Sequence, residues 1–141
     1  MTRDEISALL AQRQEAWARR DIATLVNWYS EDSVVESPLA GGVARGREAI
    51  GKIHQVFFNA FPDVTLHIDD LLIDGDRVVI IGRLAGTDRG GFMGMAPTGR
   101  SFDIALVVLF DLANGLITRE RRIYDFTGLL VQVGTIKAKP V

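Results

Sequence analysis

The sequence predicts an α+β domain in which three N-terminal helices pack on one face of an antiparallel sheet. Three observations lead there. Apolar residues recur at helical spacing as far as Phe61. From Val64 onward they alternate with polar residues instead. Two hairpin turn signals, Asp74-Gly75-Asp76 and Asn114-Gly115, divide that second part into strands.

The first helix begins at Thr2, which stands three residues before Glu5 and fits a capping box. Ile6, Leu9, Leu10, Arg13 and Trp17 then share one helical face. Asp21 reads as the N-cap of a short second helix with Ile22, Leu25, Val26 and Tyr29 on one side. Ser33 to Ser37 is a brief strand stopped by Pro38, and Ala40-Gly41-Gly42 is a loop. A third helix opens near Gly46-Arg47-Glu48, turns Ile50, Ile53, Phe57, Phe58 and Phe61 inward, and stops at Pro62.

Val64, Leu66 and Ile68 alternate, and Asp69-Asp70 then shifts the parity before Leu71 to Ile73. Such a shift predicts a β-bulge. Strands follow from Arg77 to about Thr87 and from Ser101 to Asp111. The glycine-rich segment between them, Arg89 to Gly99, carries Phe92, Met93 and Met95, apolar residues that a loop uses to cover something. A last strand with Arg119, Glu120, Arg121 and Arg122 runs into Asp125 and a short helix from Phe126 to Val133. Residues 1–141 read as one domain, with a tail at 137–141.

The chain of 141 residues has 48% hydrophobic and 24% charged residues, the balance of an ordinary globular protein. Its net charge of -2 gives no electrostatic case for nucleic acid or an anionic membrane surface. No apolar run is long enough to span a bilayer, and Met1-Thr2-Arg3-Asp4-Glu5 does not read as a signal peptide. With no cysteine there is no thiolate chemistry and no cysteine metal site, and a cytoplasmic location is the default expectation. The strand from Ser101 to Asp111 is apolar on both faces, which predicts burial on both. One face can line the core. The other calls for a second subunit, so a homodimer is expected.

The chemistry concentrates in the last strand. Asp125 can be a general acid or base at the mouth of an apolar pocket, or the N-cap of the final helix. Arg121 and Arg122 face opposite sides of their strand. A buried arginine there would need a carboxylate, and Asp103, Glu120 and Glu36 are available. His54 and His67 match no metal-ligand spacing and read as surface or boundary residues. No phosphate loop, calcium loop or nucleophile elbow is present, so no metal and no cofactor is expected.

The order of elements, with Gly46-Arg47, Phe61-Pro62-Asp63, Asp74-Gly75-Asp76-Arg77-Val78, Gly86-Thr87, Phe92-Met93-Gly94 with Pro97-Thr98-Gly99, Gly115 with Ile117, and Asp125 with Gly128-Leu129-Leu130 and Gln132-Val133-Gly134, resembles the SnoaL-like polyketide cyclases of the NTF2-like superfamily. That resemblance implies a cone of strongly curved sheet closed by helices, with a pocket for a hydrophobic small molecule. Trp28, Phe57, Phe61, Phe92, Met95 and Tyr124 are then expected around that pocket. It also implies that Asp125 acts as acid/base in a cofactor-free aldol closure or isomerisation, with Arg122 or Tyr124 steadying the enolate oxygen. An alternative within the superfamily is an epoxide hydrolase using an Asp-Arg-Asp set drawn from Asp103, Arg122 or Arg83, and Asp125. A non-catalytic binding or interaction module is the third reading. The chain departs from the family at its histidines: many members carry Glu-His-Trp where this chain has Arg119-Glu120-Arg121, Asp-His where it has Glu36-Ser37, and His where it has Asp88.

Overall fold

A computed structural model describes residues 1–39 and 41–137. Helix α1 (Arg3–Ala18) starts in the expected capping box: Glu5 N donates to the Thr2 hydroxyl while Thr2 N donates to the Glu5 carboxylate. Asp21 caps α2 (Ile22–Leu25), and a single 3₁₀ turn (Val26–Trp28) leads into strand β1 (Tyr29–Ser37). Strand β2 (Gly42–Arg45) pairs antiparallel with β1 before α3 (Arg47–Ala60). Strands β3 (Thr65–Asp74), β4 (Arg77–Thr87), β5 (Ser101–Ala113) and β6 (Leu116–Tyr124) form a meander, and α4 (Phe126–Gln132) ends the described fold.

The six strands form one curved sheet in the order β2-β1-β6-β5-β4-β3. Its pairings are antiparallel except that β1 lies parallel to β6. Two details correct the sequence reading. Tyr29 opens β1 instead of sitting on the second helix, and the segment after Gly42 is a strand instead of the end of a loop. Strand β2 has four residues at the sheet edge, where hairpin pairing with β1 outweighs weak local pattern, while β1 is held on both sides, by β2 and β6. The tail expected at 137–141 lies outside the described residues beyond Lys137.

The predicted bulge is present: the β3–β4 register slips between Ile68 and Asp70. Opposite it stands Gly82, where a Cβ would lie 2.1 Å from the His67 carbonyl oxygen. Only glycine lets β3 come that close. The concave face carries Phe102, Ile104, Leu106, Val108 and Phe110 from β5 with Val78, Ile80 and Leu84 from β4. Helices α1 and α3 cover this face with Ile6, Leu9, Leu10, Phe57 and Phe58.

Between β4 and β5 the loop is held by Asp88, which is buried. Its carboxylate accepts from the backbone N–H groups of Gly91 and Thr98 and from the Thr98 hydroxyl. This fixes Phe92 inside, against Phe57 and Phe61, while Met93 and Met95 stay 56% and 55% exposed.

Candidate active site

Inside the cone lies a cavity of about 570 Å³, part of it open to solvent. Most of its wall is apolar: Trp17 from α1, Phe57 and Phe58 from α3, and Leu84, Leu106 and Val108 from the sheet. Set into that wall are Arg13, His54, Glu120, Arg122 and Tyr124. The alternation of β6 explains three of them, because Glu120, Arg122 and Tyr124 occupy every second position and point inward. Arg121 points the other way, where it and Arg119 pair with Glu36.

Glu120 is the hub. It is 1% exposed, and each of its carboxylate oxygens is engaged. Oε1 accepts from the Tyr29 hydroxyl and, at 3.2 Å, from Arg13 Nη2; Oε2 accepts from Arg122 Nε. Arg13 Nη2 also donates to the Tyr29 hydroxyl oxygen at 2.7 Å, and the guanidinium lies over the Phe110 ring at 5.0 Å. Arg122 continues outward through Nη2, 2.9 Å from His54 Nε2. Since a guanidinium can only donate, His54 Nε2 is the acceptor. The proton then sits on Nδ1, which faces the Ile50 carbonyl at 2.9 Å.

Electrostatics follow from this geometry. Burial alone would raise the Glu120 pKa, but Arg122 and Arg13 outweigh it and hold it at about 2. Burial works against charge on both arginines, yet their partners, Glu120 above all for Arg122, raise their pKa values above the usual. His54 goes the opposite way: burial and then the Arg122 charge push it down to about 3, so the ring is neutral. Burial raises the pKa of both Tyr29 and Tyr124. The Tyr124 hydroxyl is buried close to Ser37 but makes no well-formed hydrogen bond among the described residues.

Of the residues expected at the pocket, Arg122, Tyr124 and Phe57 line it. Phe61 and Phe92 are fully buried just behind Phe57, at ring distances of 5.7 and 5.9 Å. Trp28 packs half-buried against the core, and Met95 is out in solvent. The reading of Asp125 as a pocket carboxylate is corrected: its side chain is exposed, accepts from Gly128 N at 2.8 Å and caps α4. Strand β6 ends at Tyr124, and the chain there turns into the helix instead of continuing along the wall. Asp103 and Arg83 pair with each other at 2.8 Å on the outer face of the sheet. The Asp-Arg-Asp set therefore does not assemble in the cavity: Arg122 lines it, but Asp103, Arg83 and Asp125 all lie outside it.

His54 also corrects the sequence reading, being 2% exposed inside the cone, whereas His67 is exposed beside Asp69. Its signal was helical phase: it falls four residues after Ile50 and just before Phe57 and Phe58. Arg13 had the same signal on α1, and Glu120 shares its strand phase with Arg122. Among the described residues no group of three or more His, Asp or Glu side chains is placed to hold a metal ion, and no helix is long and apolar enough to cross a membrane.

The model of the SnoaL-like polyketide cyclase family matches residues 8–133. The chain belongs to that family. AclR of Streptomyces galilaeus, a candidate hydroxylase, superimposes with a TM-score of 0.83 at 26% identity, over 99% of this chain and 87% of the other. IdmH of Streptomyces antibioticus, a candidate polyketide cyclase, does so with 0.77 at 30% identity, over 91% and 97%. A Catenulispora acidiphila protein with a ketosteroid isomerase-like fold matches at 20% identity and a TM-score of 0.76, over 99% and 100%, which shows the shared NTF2-like architecture. No curated protein matches the chain.

Proposed function

We propose that this protein is a cofactor-independent acid/base enzyme acting on a hydrophobic carbonyl-bearing small molecule, by intramolecular aldol closure or isomerisation. The observation that carries the reading is the Glu120–Arg122 pair in the wall of an otherwise apolar cavity. Arg122 and Tyr124 are donors that line that space, and against a largely apolar wall such donors stabilise a developing enolate strongly.

Glu120 is the ionised carboxylate lining the cavity, and it takes the proton. In the free protein it is a weak base, because two guanidiniums hold it charged. As negative charge grows on the substrate beside Arg122, that hold weakens and the proton affinity of Glu120 rises. The substrate C–H bond breaks, its electron pair goes to the carbonyl oxygen, and the proton goes to Glu120. In isomerisation the proton returns to another carbon. In aldol closure the enolate carbon attacks a second carbonyl, and Glu120 protonates the new alkoxide. His54 orients Arg122 through Nε2 and stays neutral.

The test is solvent deuterium exchange at the acidic carbon of a cyclic β-keto ester, followed by NMR against the uncatalysed background. Glu120→Gln, checked for folding by circular dichroism, should slow the catalysed exchange by roughly 10²- to 10⁴-fold. Arg122→Met should cost about 10²- to 10³-fold, the scale of a lost oxyanion donor. A folded Glu120→Gln protein with full exchange activity would sink the proposal.

The same family cavity needs no second subunit for these contacts. A homodimer is nonetheless proposed, because Ile81, Val107 and Ile123 lie side by side across three strands on the outer face of the sheet. Next to them run Leu72, Val79 and Leu109. Leu72, Ile81 and Ile123 are 51%, 38% and 49% exposed, and the ion pairs of Arg77, Arg83, Arg119 and Arg121 rim the patch. Two copies of such a face suit an isologous contact.

A further inference from the structure

The charges around the cavity do not cancel. Among the lining residues Arg13 and Arg122 are cations and Glu120 is the anion that pairs with both. His54 contributes no charge, since its Nε2 lone pair accepts a hydrogen bond from Arg122 and its Nδ1–H is donated to the Ile50 carbonyl. Two positive charges against one negative leave an excess of one positive charge in an apolar enclosure. A buried charge without a counterion is costly, so the free cavity is poised to receive one.

Unused donors tell the same story. Arg13 Nε and the Tyr124 hydroxyl are buried with no hydrogen-bond partner among the described residues. Both residues line the cavity, and Arg13 is only 5% exposed. A buried donor left without an acceptor is unusual in a folded protein and marks a place for one. Glu120, the carboxylate beside Arg13, already accepts from Tyr29, Arg13 and Arg122. The remaining wall is aromatic and aliphatic, the lining that suits the apolar body of a small molecule.

We infer that this cavity binds a hydrophobic monoanion whose charge is shared between two oxygens. The class covers an aromatic or alicyclic carboxylate and the enolate of a 1,3-dicarbonyl, its vinylogous equivalent. The two oxygens match the donors of Arg122 and Tyr124, the single charge matches the excess, and the ring body matches Phe57, Phe58 and Trp17. A phosphate monoester, with close to two negative charges, would overshoot the balance. The inference rests on the preceding reading for which cavity is the binding site, and it requires no turnover.

The experiment is calorimetric titration of the purified full chain with two matched pairs. The first is 2-naphthoate against 2-naphthamide. The second is 5-phenylcyclohexane-1,3-dione, titrated at a pH where it is ionised, against its neutral enol methyl ether. The anion should bind about ten- to a hundred-fold tighter than its neutral mate, the scale of one or two charge-assisted hydrogen bonds. A preference in the first pair identifies a carboxylate, and a preference confined to the second identifies an enolate. Arg122→Met should erase the preference while leaving binding of the neutral mates within a few-fold. If that variant does not fold, the two pairs on the unaltered protein decide alone. Anions that bind no better than the neutral compounds in both pairs, absence of binding included, overturn the inference. An anion preference without catalysed deuterium exchange would remove the enzymatic reading and leave this one standing.

Discussion

Glu120 and Arg122 stand two residues apart on the inward face of β6 and are joined by a hydrogen-bonded ion pair. Nearest inward-facing positions on one strand thus carry opposite charges, in a wall that is otherwise apolar. Arg13 reaches the same carboxylate from a helix at the other end of the chain, and Tyr29 reaches it from β1.

Breaking this hub should be expensive. Glu120→Gln leaves two buried guanidiniums without a counterion, and removing one partner of a buried ion pair typically costs about 3–5 kcal/mol. Arg119→Gln breaks an exposed pair with Glu36 and should change stability by under about 1 kcal/mol. Urea unfolding of both variants checks the contrast; similar midpoints would contradict the structural importance given to Glu120.

Acid should unfold the protein in two overlapping stages. His54 is held near pKa 3 against an ordinary 6.5, so between those values the unfolded chain binds a proton that the folded one refuses. Stability therefore falls as pH drops below about 6.5. Glu120, held at about 2 against 4.5, adds to the loss below pH 4.5. Each group contributes a slope of at most about 1.4 kcal/mol per pH unit. His54→Gln keeps an acceptor for Arg122 and should flatten the slope between pH 6.5 and 5. Urea midpoints across pH would show it, and an unchanged slope would rule His54 out as the cause.

Asp125 should behave as a helix cap. Asp125→Ala should cost about 1 kcal/mol and Asp125→Asn much less, since asparagine also accepts a bond from Gly128 N. Exchange activity should survive in the Asn variant. A loss of two orders of magnitude with unchanged melting temperature would return Asp125 to the chemistry.

Charging the outer face should separate the subunits. Ile123→Lys puts an ammonium in the middle of the apolar row formed with Val107 and Ile81. Sedimentation should show a dimer for the unaltered chain and at least a ten-fold weaker association for the variant. A monomer at high micromolar concentration for the unaltered chain would refute the dimer.

Much of this fold was legible because its signals are local. The Thr2–Glu5 capping box, the Asp21 and Asp125 caps, the Asp69 bulge and both hairpin turns depend on neighbours within a few residues. The site was legible only in part. Arg122 and Tyr124 stood out as polar residues in strand phase near the chain's most charged segment. Asp125 was favoured by the family resemblance, and the turn of the backbone after Tyr124 then set it outside the cavity. Arg13 and His54 were each on a recognised apolar helical face, but what makes a polar residue tolerable there is a partner on a distant element. Periodicity reports which face a side chain takes, whereas the counterion that awaits it is set by the packing of the whole sheet.

The bond from Arg13 to Glu120 spans 107 positions of sequence. Until β6 is laid into the sheet, α1 cannot dock its guanidinium in the apolar interior without leaving a naked ion there. Docking of α1 is therefore tied energetically to β6, the strand that carries its counterion. A chain interrupted before β6 would leave Arg13 without its carboxylate, so its first helix could settle on the sheet only by burying an unpaired charge.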